Sequence, residues 1–84
     1  MKHAGQAALD QLESTLEAMR ALPGLTEKGR GVFYRKSRAF LHFHEDPEGL
    51  FADLRDVAGE DFDRFDVTQS SEALLAATRD RLAT

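Results

Sequence analysis

An α+β fold, in the order α-β-β-β-(β)-α, follows from three features of the sequence. Leucine and methionine recur at steps of three and four across residues 6–22, the spacing of one helical stripe. Aromatic and β-branched residues then concentrate between 31 and 55, broken twice by turn residues. A serine pair at 70–71 opens a last segment rich in leucine and alanine. The expected architecture is a three- or four-stranded antiparallel meander with two helices packed on one face.

In the first helix Leu9, Leu12, Leu16 and Met19 form the apolar stripe, while Asp10, Glu13, Glu17 and Arg20 lie opposite. Pro23-Gly24 ends it, because proline cannot continue a helix and glycine frees the turn. The polar segment T-E-K-G-R-G reads as a connection. Strands are expected at 31–35, 39–45 and 50–55, joined by K-S-R and by D-P-E-G, the latter marked by proline and a terminal glycine.

The second hairpin sets a register. With Asp46 to Gly49 as the loop, Glu45 faces Leu50, Phe43 faces Ala52 and Leu41 faces Leu54. On the other side His44 faces Phe51, His42 faces Asp53 and Phe40 faces Arg55. Alternation then sorts Leu41, Phe43, Ala52 and Leu54 inward, and His42, His44, Asp53 and Arg55 outward. Phe40 and Phe51 are apolar members of the outward set.

Residues 56–67 carry two signals. Ala58, Phe62 and Phe65 have helical spacing, but Gly59 and the aspartates disfavour a helix. Phe65 and Val67 alternate as in a strand, so a fourth, edge strand is expected near 63–67, its acidic residues guarding the edge. Ser70 or Ser71 caps the last helix, with Glu72 in its first turn. Leu74, Leu75, Ala77, Thr78 and Leu82 form its apolar side, and Arg79 and Arg81 suit the negative pole of its dipole.

The 84 residues hold one core and one domain, 1–84. So small a domain buries a modest share of its surface, which makes a homodimer or protein partner a natural expectation. Apolar content of 42% and charged content of 31% fit a folded chain. The absence of cysteine removes disulfides, thiolate catalysis and Cys-ligated zinc. No apolar run approaches the roughly 20 residues that span a bilayer, and M-K-H-A-G-Q-A-A-L-D lacks the apolar stretch of a signal peptide. A cytoplasmic location with no membrane partner is the expectation. Net charge is −4 but uneven. Lys28, Arg30, Arg35, Lys36 and Arg38 crowd together, and acidic residues dominate from Glu45 to Asp66.

Three chemistries are candidates on this pattern. In H-F-H two histidines two apart on a strand project from one face, roughly 7 Å apart along the backbone. With Asp53 across from His42, they offer two nitrogens and one oxygen to a divalent metal. His42 oriented by Asp53 would also serve as a base. No serine or threonine lies on these strands as a nucleophile, and no G-x-S-x-G, Walker or dinucleotide glycine pattern occurs. H-x-H with one carboxylate is also a common accident of sequence, so no cofactor is expected, no catalytic residue is assigned, and no metal site is assigned beyond His42, His44 and Asp53 as candidates.

The segment K-G-R-G-V-F-Y-R-K-S-R is the second candidate. Lys28, Arg30, Arg35, Lys36 and Arg38 could neutralise phosphates while Phe33 or Tyr34 stacks on bases, although the net negative charge opposes nucleic acid. The third candidate ranks first: non-enzymatic binding through the outer sheet face by Phe40, His42, His44, Phe51, Asp53 and Arg55. One choice of first-hairpin register adds Phe33 and Arg35. Aromatics, histidines and arginine on one flat face have the composition of an interface.

The segments L-P-G-L-T-E-K and F-L-H-F-H-E-D-P-E-G-L-F-A-D-L-R resemble the short α-then-meander core of YjbR-like proteins. They also resemble small bacterial families of unknown function that carry an F-L-H-x-H strand. The resemblance covers residues 16–55. It implies an α+β fold of the kind compared with double-wing DNA-binding shapes, and carries no catalytic residue over to this chain.

Overall fold

The computed structural model describes residues 2–83. Along the chain lie β1 (Lys2–His3), α1 (Gln6–Gln11), α2 (Glu13–Arg20), β2 (Thr26–Gly29) and β3 (Val32–Arg35). They are followed by β4 (Arg38–Asp46), β5 (Gly49–Arg55), β6 (Phe62–Asp66) and α3 (Glu72–Leu82). The strands form one antiparallel sheet in the order β2-β3-β4-β5-β6, and β1 lies beside β4. Among the described residues no helix is long and apolar enough to cross a membrane.

The first helix differs from the expected continuous 6–22. It divides at Leu12, whose φ of −95° and ψ of 6° leave the α region. The Leu12 N–H is shared between the carbonyls of Ala8 (3.2 Å) and Leu9 (3.1 Å), a local tightening toward 3₁₀ geometry. Leu9, Leu12, Leu16 and Met19 stay on one side and are all buried. They meet Phe33, Leu41, Phe43, Ala52, Leu54, Val67 and, from α3, Leu74 in a single cluster. Among the described residues the three helices therefore cover the same sheet face, and none lies on the other. A buried aliphatic or aromatic side chain here contributes about 1.5–3 kcal/mol.

The β4–β5 register is the expected one from Leu41 onward: Leu41 pairs Leu54, His42 pairs Asp53, Phe43 pairs Ala52, His44 pairs Phe51 and Glu45 pairs Leu50. The expected Phe40–Arg55 pair is not formed, and Arg55 pairs Phe62 of β6. Pro47 and Glu48 make the turn, and the Asp46 carboxylate accepts the Glu48 N–H at 2.7 Å. The fourth expected strand is β6, at the sheet edge.

Two strands fall outside the expectation. T-E-K-G-R-G, read as a connection, contains β2, an edge strand that pairs with β3. Its residues are mostly exposed, so no apolar alternation marks it. Two-residue β1 is too short to show a period, yet Lys2 pairs Glu45 and His3 pairs His44.

The expected outward position of Phe40 is corrected by a β-bulge. Phe33 pairs Leu41 and Tyr34 pairs Ala39, so Phe40 is an extra residue on β4. Bulges re-aim side chains, and Phe40 joins Leu41 in the core at 5% exposure. The register that would have put Phe33 and Arg35 outside is corrected as well. Phe33 is buried at 1%, and the Arg35 guanidinium donates to the carbonyls of Arg81 (3.0 Å) and Leu82 (3.4 Å) at the end of α3.

Candidate metal centre on the open sheet face

Pleat and register together bring His42, His44 and Asp53 to one spot. His42 and His44 alternate on β4, and Asp53 sits across from His42 on β5. Backbone spacing alone would keep two such imidazoles apart, but the rings tilt together. Their centroids lie 4.7 Å apart at 84°, and His42 Nδ1 is 2.7 Å from His44 Nε2. His44 Nε2 is also 3.0 Å from Asp53 Oδ2. One ligand atom from each of the three residues lies within 4.8 Å of the other two.

The proton count at this point is informative. The carboxylate oxygen only accepts, so His44 Nε2 must carry the hydrogen it offers to Asp53, and His42 Nδ1 then faces it with a lone pair. One hydrogen thus serves two acceptors. The opposite tautomer would aim a lone pair at the carboxylate and leave a buried Nδ1–H without a partner. Burial, followed by the neighbouring His44, holds the His42 pKa below the ordinary histidine range, with Asp53 opposing. His42 is accordingly neutral and able to accept at neutral pH.

The surroundings hold these groups in place. The His44 and Asp53 side chains are 12% and 17% exposed. The second oxygen of Asp53 is 3.4 Å from Arg64 Nε, which steadies the carboxylate from behind. The Phe62 ring packs on His42 with centroids 4.8 Å apart, and the Arg55 guanidinium lies 4.3 Å over Phe62. The exposed His3 ring lies 5.2 Å from His44 and 5.9 Å from His42, centroid to centroid.

A divalent ion would replace the shared hydrogen. Zinc needs nitrogens at about 2.0–2.1 Å and therefore roughly 3.3 Å apart, so the rings must open by about half an ångström. Ligation at His44 Nε2 also moves the ring proton to Nδ1, which is buried with no partner among the described residues. An unpartnered N–H costs about 1–3 kcal/mol. Two imidazole nitrogens and one carboxylate oxygen are nonetheless donors of the kind zinc-class ions accept.

The remaining expected residues are scattered differently. Phe51 is half-buried on the open face beside His44, while Arg55 turns its guanidinium onto the Ala39 carbonyl. The five cations do not form one patch. Lys28 lies 5.7 Å over the Tyr34 ring, and Arg30 pairs with Asp10 and Glu13 at 2.8 Å each on the helical side. Arg35, Lys36 and Arg38 gather beyond the other end of β3, where they line a cavity of about 220 Å³ with Arg55 and Arg81.

Sequence reasoning missed His3 and Phe62 as members of the face. His3 had no strand signal around it, and Phe62 lay in the segment with mixed helix and strand character.

The molecule is thus an α+β domain whose helix-free sheet face carries a clustered His-His-Asp donor set. Comparison with known proteins returns no family model, no curated protein and no solved structure that matches the chain.

Proposed function

We propose that the protein is a binding module that works through the open face of its sheet, and that it holds a divalent transition-metal ion there. His42 Nδ1, His44 Nε2 and Asp53 Oδ2 are the ligands. The observation that carries this reading is the convergence of one ligand atom from each of the three residues within 4.8 Å of the others, with His44 Nε2 at 2.7 Å from His42 Nδ1 and 3.0 Å from Asp53 Oδ2. Imidazole nitrogens with one carboxylate suit zinc better than calcium or magnesium, which prefer all-oxygen shells.

The test is zinc titration of the metal-free chain by calorimetry, with elemental analysis of protein purified without a histidine tag. One zinc per chain is expected, with binding lost in His42→Ala and Asp53→Ala. Stoichiometric zinc binding that survives both substitutions would refute the assignment.

A second reading is favoured by the cavity at the β3–β4 hairpin. Of its lining cations Lys36 and Arg38 are the exposed ones, and although Arg38 also donates to the Gly59 carbonyl at 2.8 Å, the pair could take a nucleic-acid phosphate. Salt-dependent retention on heparin that disappears in the double variant Lys36→Ala, Arg38→Ala would support it. No retention at low salt would dismiss it.

A further inference from the structure

The three-residue donor set leaves one position of a tetrahedral ion unfilled. In zinc sites such a position takes either water, as in catalytic centres, or a fourth side chain, as in structural ones. A third histidine, His3, lies with its ring beside both of the others.

His3 lies far from His42 and His44 in sequence. It is held beside them by β1. His3 pairs directly with His44, and the Ala4 N–H donates to the Phe43 carbonyl at 3.1 Å. The Gly5 N–H donates to the Glu45 carboxylate. Two imidazoles on one tetrahedral zinc have centroids about 5 Å apart, from metal–nitrogen bonds of about 2.0–2.1 Å. The three observed separations, 4.7, 5.2 and 5.9 Å, bracket that value. The His3 nitrogens are outside the set of ligand atoms that already converge, so closing a three-histidine, one-aspartate shell takes a turn of the exposed His3 ring inward together with the opening of the His42 and His44 rings described above.

We infer that His3 supplies the fourth ligand, so that metal binding and docking of β1 on β4 are one coupled event. This rests on the metal reading of His42, His44 and Asp53. With β1 docked the shell is closed by protein, the arrangement of a site that holds its ion. With β1 lifted away the fourth position passes to water and the ion is released more readily. β1 is suited to this role because both of its residues are exposed and it is only two residues long. Short exposed elements belong to the least stable part of a fold.

Linkage makes the coupling measurable from both ends. The factor by which docked His3 raises metal affinity equals the factor by which metal raises the docked population. The experiment uses the full chain, untagged, with zinc and cobalt as probes. Zinc affinity is measured for the parent, His3→Ala and His42→Ala, and amide exchange at Ala4 is followed with and without zinc.

The expected result is an affinity loss of at least about 10-fold in His3→Ala, the lower end of what even outer-shell support is worth. Ala4 exchange in the parent should slow on zinc addition by the same factor, and not slow in His3→Ala. Bound cobalt should show the intense visible bands of four-coordinate geometry with an all-protein shell, altered in His3→Ala. Equal zinc affinity in parent and His3→Ala, with Ala4 exchange indifferent to zinc, would overturn the inference while leaving the three-ligand site standing. No zinc binding by the parent would remove the three-ligand site and this inference together.

Discussion

The Arg55 guanidinium caps the carbonyl oxygen of Ala39, with Nε at 3.0 Å and Nη2 at 2.7 Å. The bulge explains why this carbonyl needs a side-chain partner. With Phe40 inserted as an extra residue, the β4–β5 ladder has its last backbone pair at Leu41–Leu54. Arg55 thus satisfies an acceptor at the point where the bulge disrupts the ladder, and its cation rests on the Phe62 ring beside the histidines. One side chain touches both the strand segment next to the bulge and the Phe62 ring that walls the candidate metal centre.

Arg55→Leu should accordingly destabilise the fold by about 1–3 kcal/mol, the cost of stranding a half-buried acceptor. Arg55→Lys should recover only part of this, because lysine lacks the planar fork that meets one oxygen with two N–H groups. Urea unfolding of both variants measures the difference. Equal stability of the leucine variant and the parent would show that water serves Ala39 as well as Arg55 does.

Phe40 gives a sharper contrast. As a core residue, Phe40→Ala should cost about 3–5 kcal/mol. On an open face the same change would stay within about 0.5 kcal/mol. A shift of the urea midpoint too small to measure would place the ring outside the core and contradict the bulge.

Lys36 and Ser37 join β3 to β4 with φ values of 52° and 69°. A two-residue hairpin loop with both central φ angles positive favours Asn-Gly. Each non-glycine residue there carries a penalty of up to about 1–2 kcal/mol. The double replacement Lys36→Asn, Ser37→Gly should therefore raise stability by about 1 kcal/mol and increase the melting temperature. Unchanged or lowered stability would mean that the Lys36 side chain contributes contacts that offset its backbone strain.

Acid sensitivity should arise in part at Glu27. Arg20 meets its carboxylate at 2.6 and 3.1 Å, and the Gly31 N–H adds a bond at 2.9 Å. The Arg20 hydrogen bond, first, and then the Gly31 N–H hold its pKa below the ordinary 4.5, with desolvation opposing. Because the folded pKa is depressed, the unfolded chain takes up the proton more readily. The stabilisation is complete above the unfolded value and is lost as pH falls from about 4.5 through the folded one. Urea midpoints followed downward from that pH should drop less in Arg20→Gln than in the parent. Identical acid profiles would assign the loss to other carboxylates.

Local pattern was enough for much of this molecule. The leucine stripe of α1 and α2 was legible because helical burial repeats every three or four residues. The β4–β5 register was legible because period-two alternation and the D-P-E-G turn agree on it, and that register alone brings His42 opposite Asp53. Tertiary structure decided the rest. β2 and β1 owe their strand character to β3 and β4, since neither carries an apolar pattern of its own. The inward turn of Phe40 depends on an extra residue that shows only when β3 is laid beside β4. Lys28, Arg30 and Arg35 form one run in sequence yet turn to an aromatic ring, two helix carboxylates and the end of α3. The two histidines were visible as a same-face pair from the start. Their meeting at 2.7 Å, and the arrival of His3 beside them, come from ring rotation and long-range pairing. Both lie outside local sequence pattern, because nothing within a few residues of His42 specifies which distant segment packs over it.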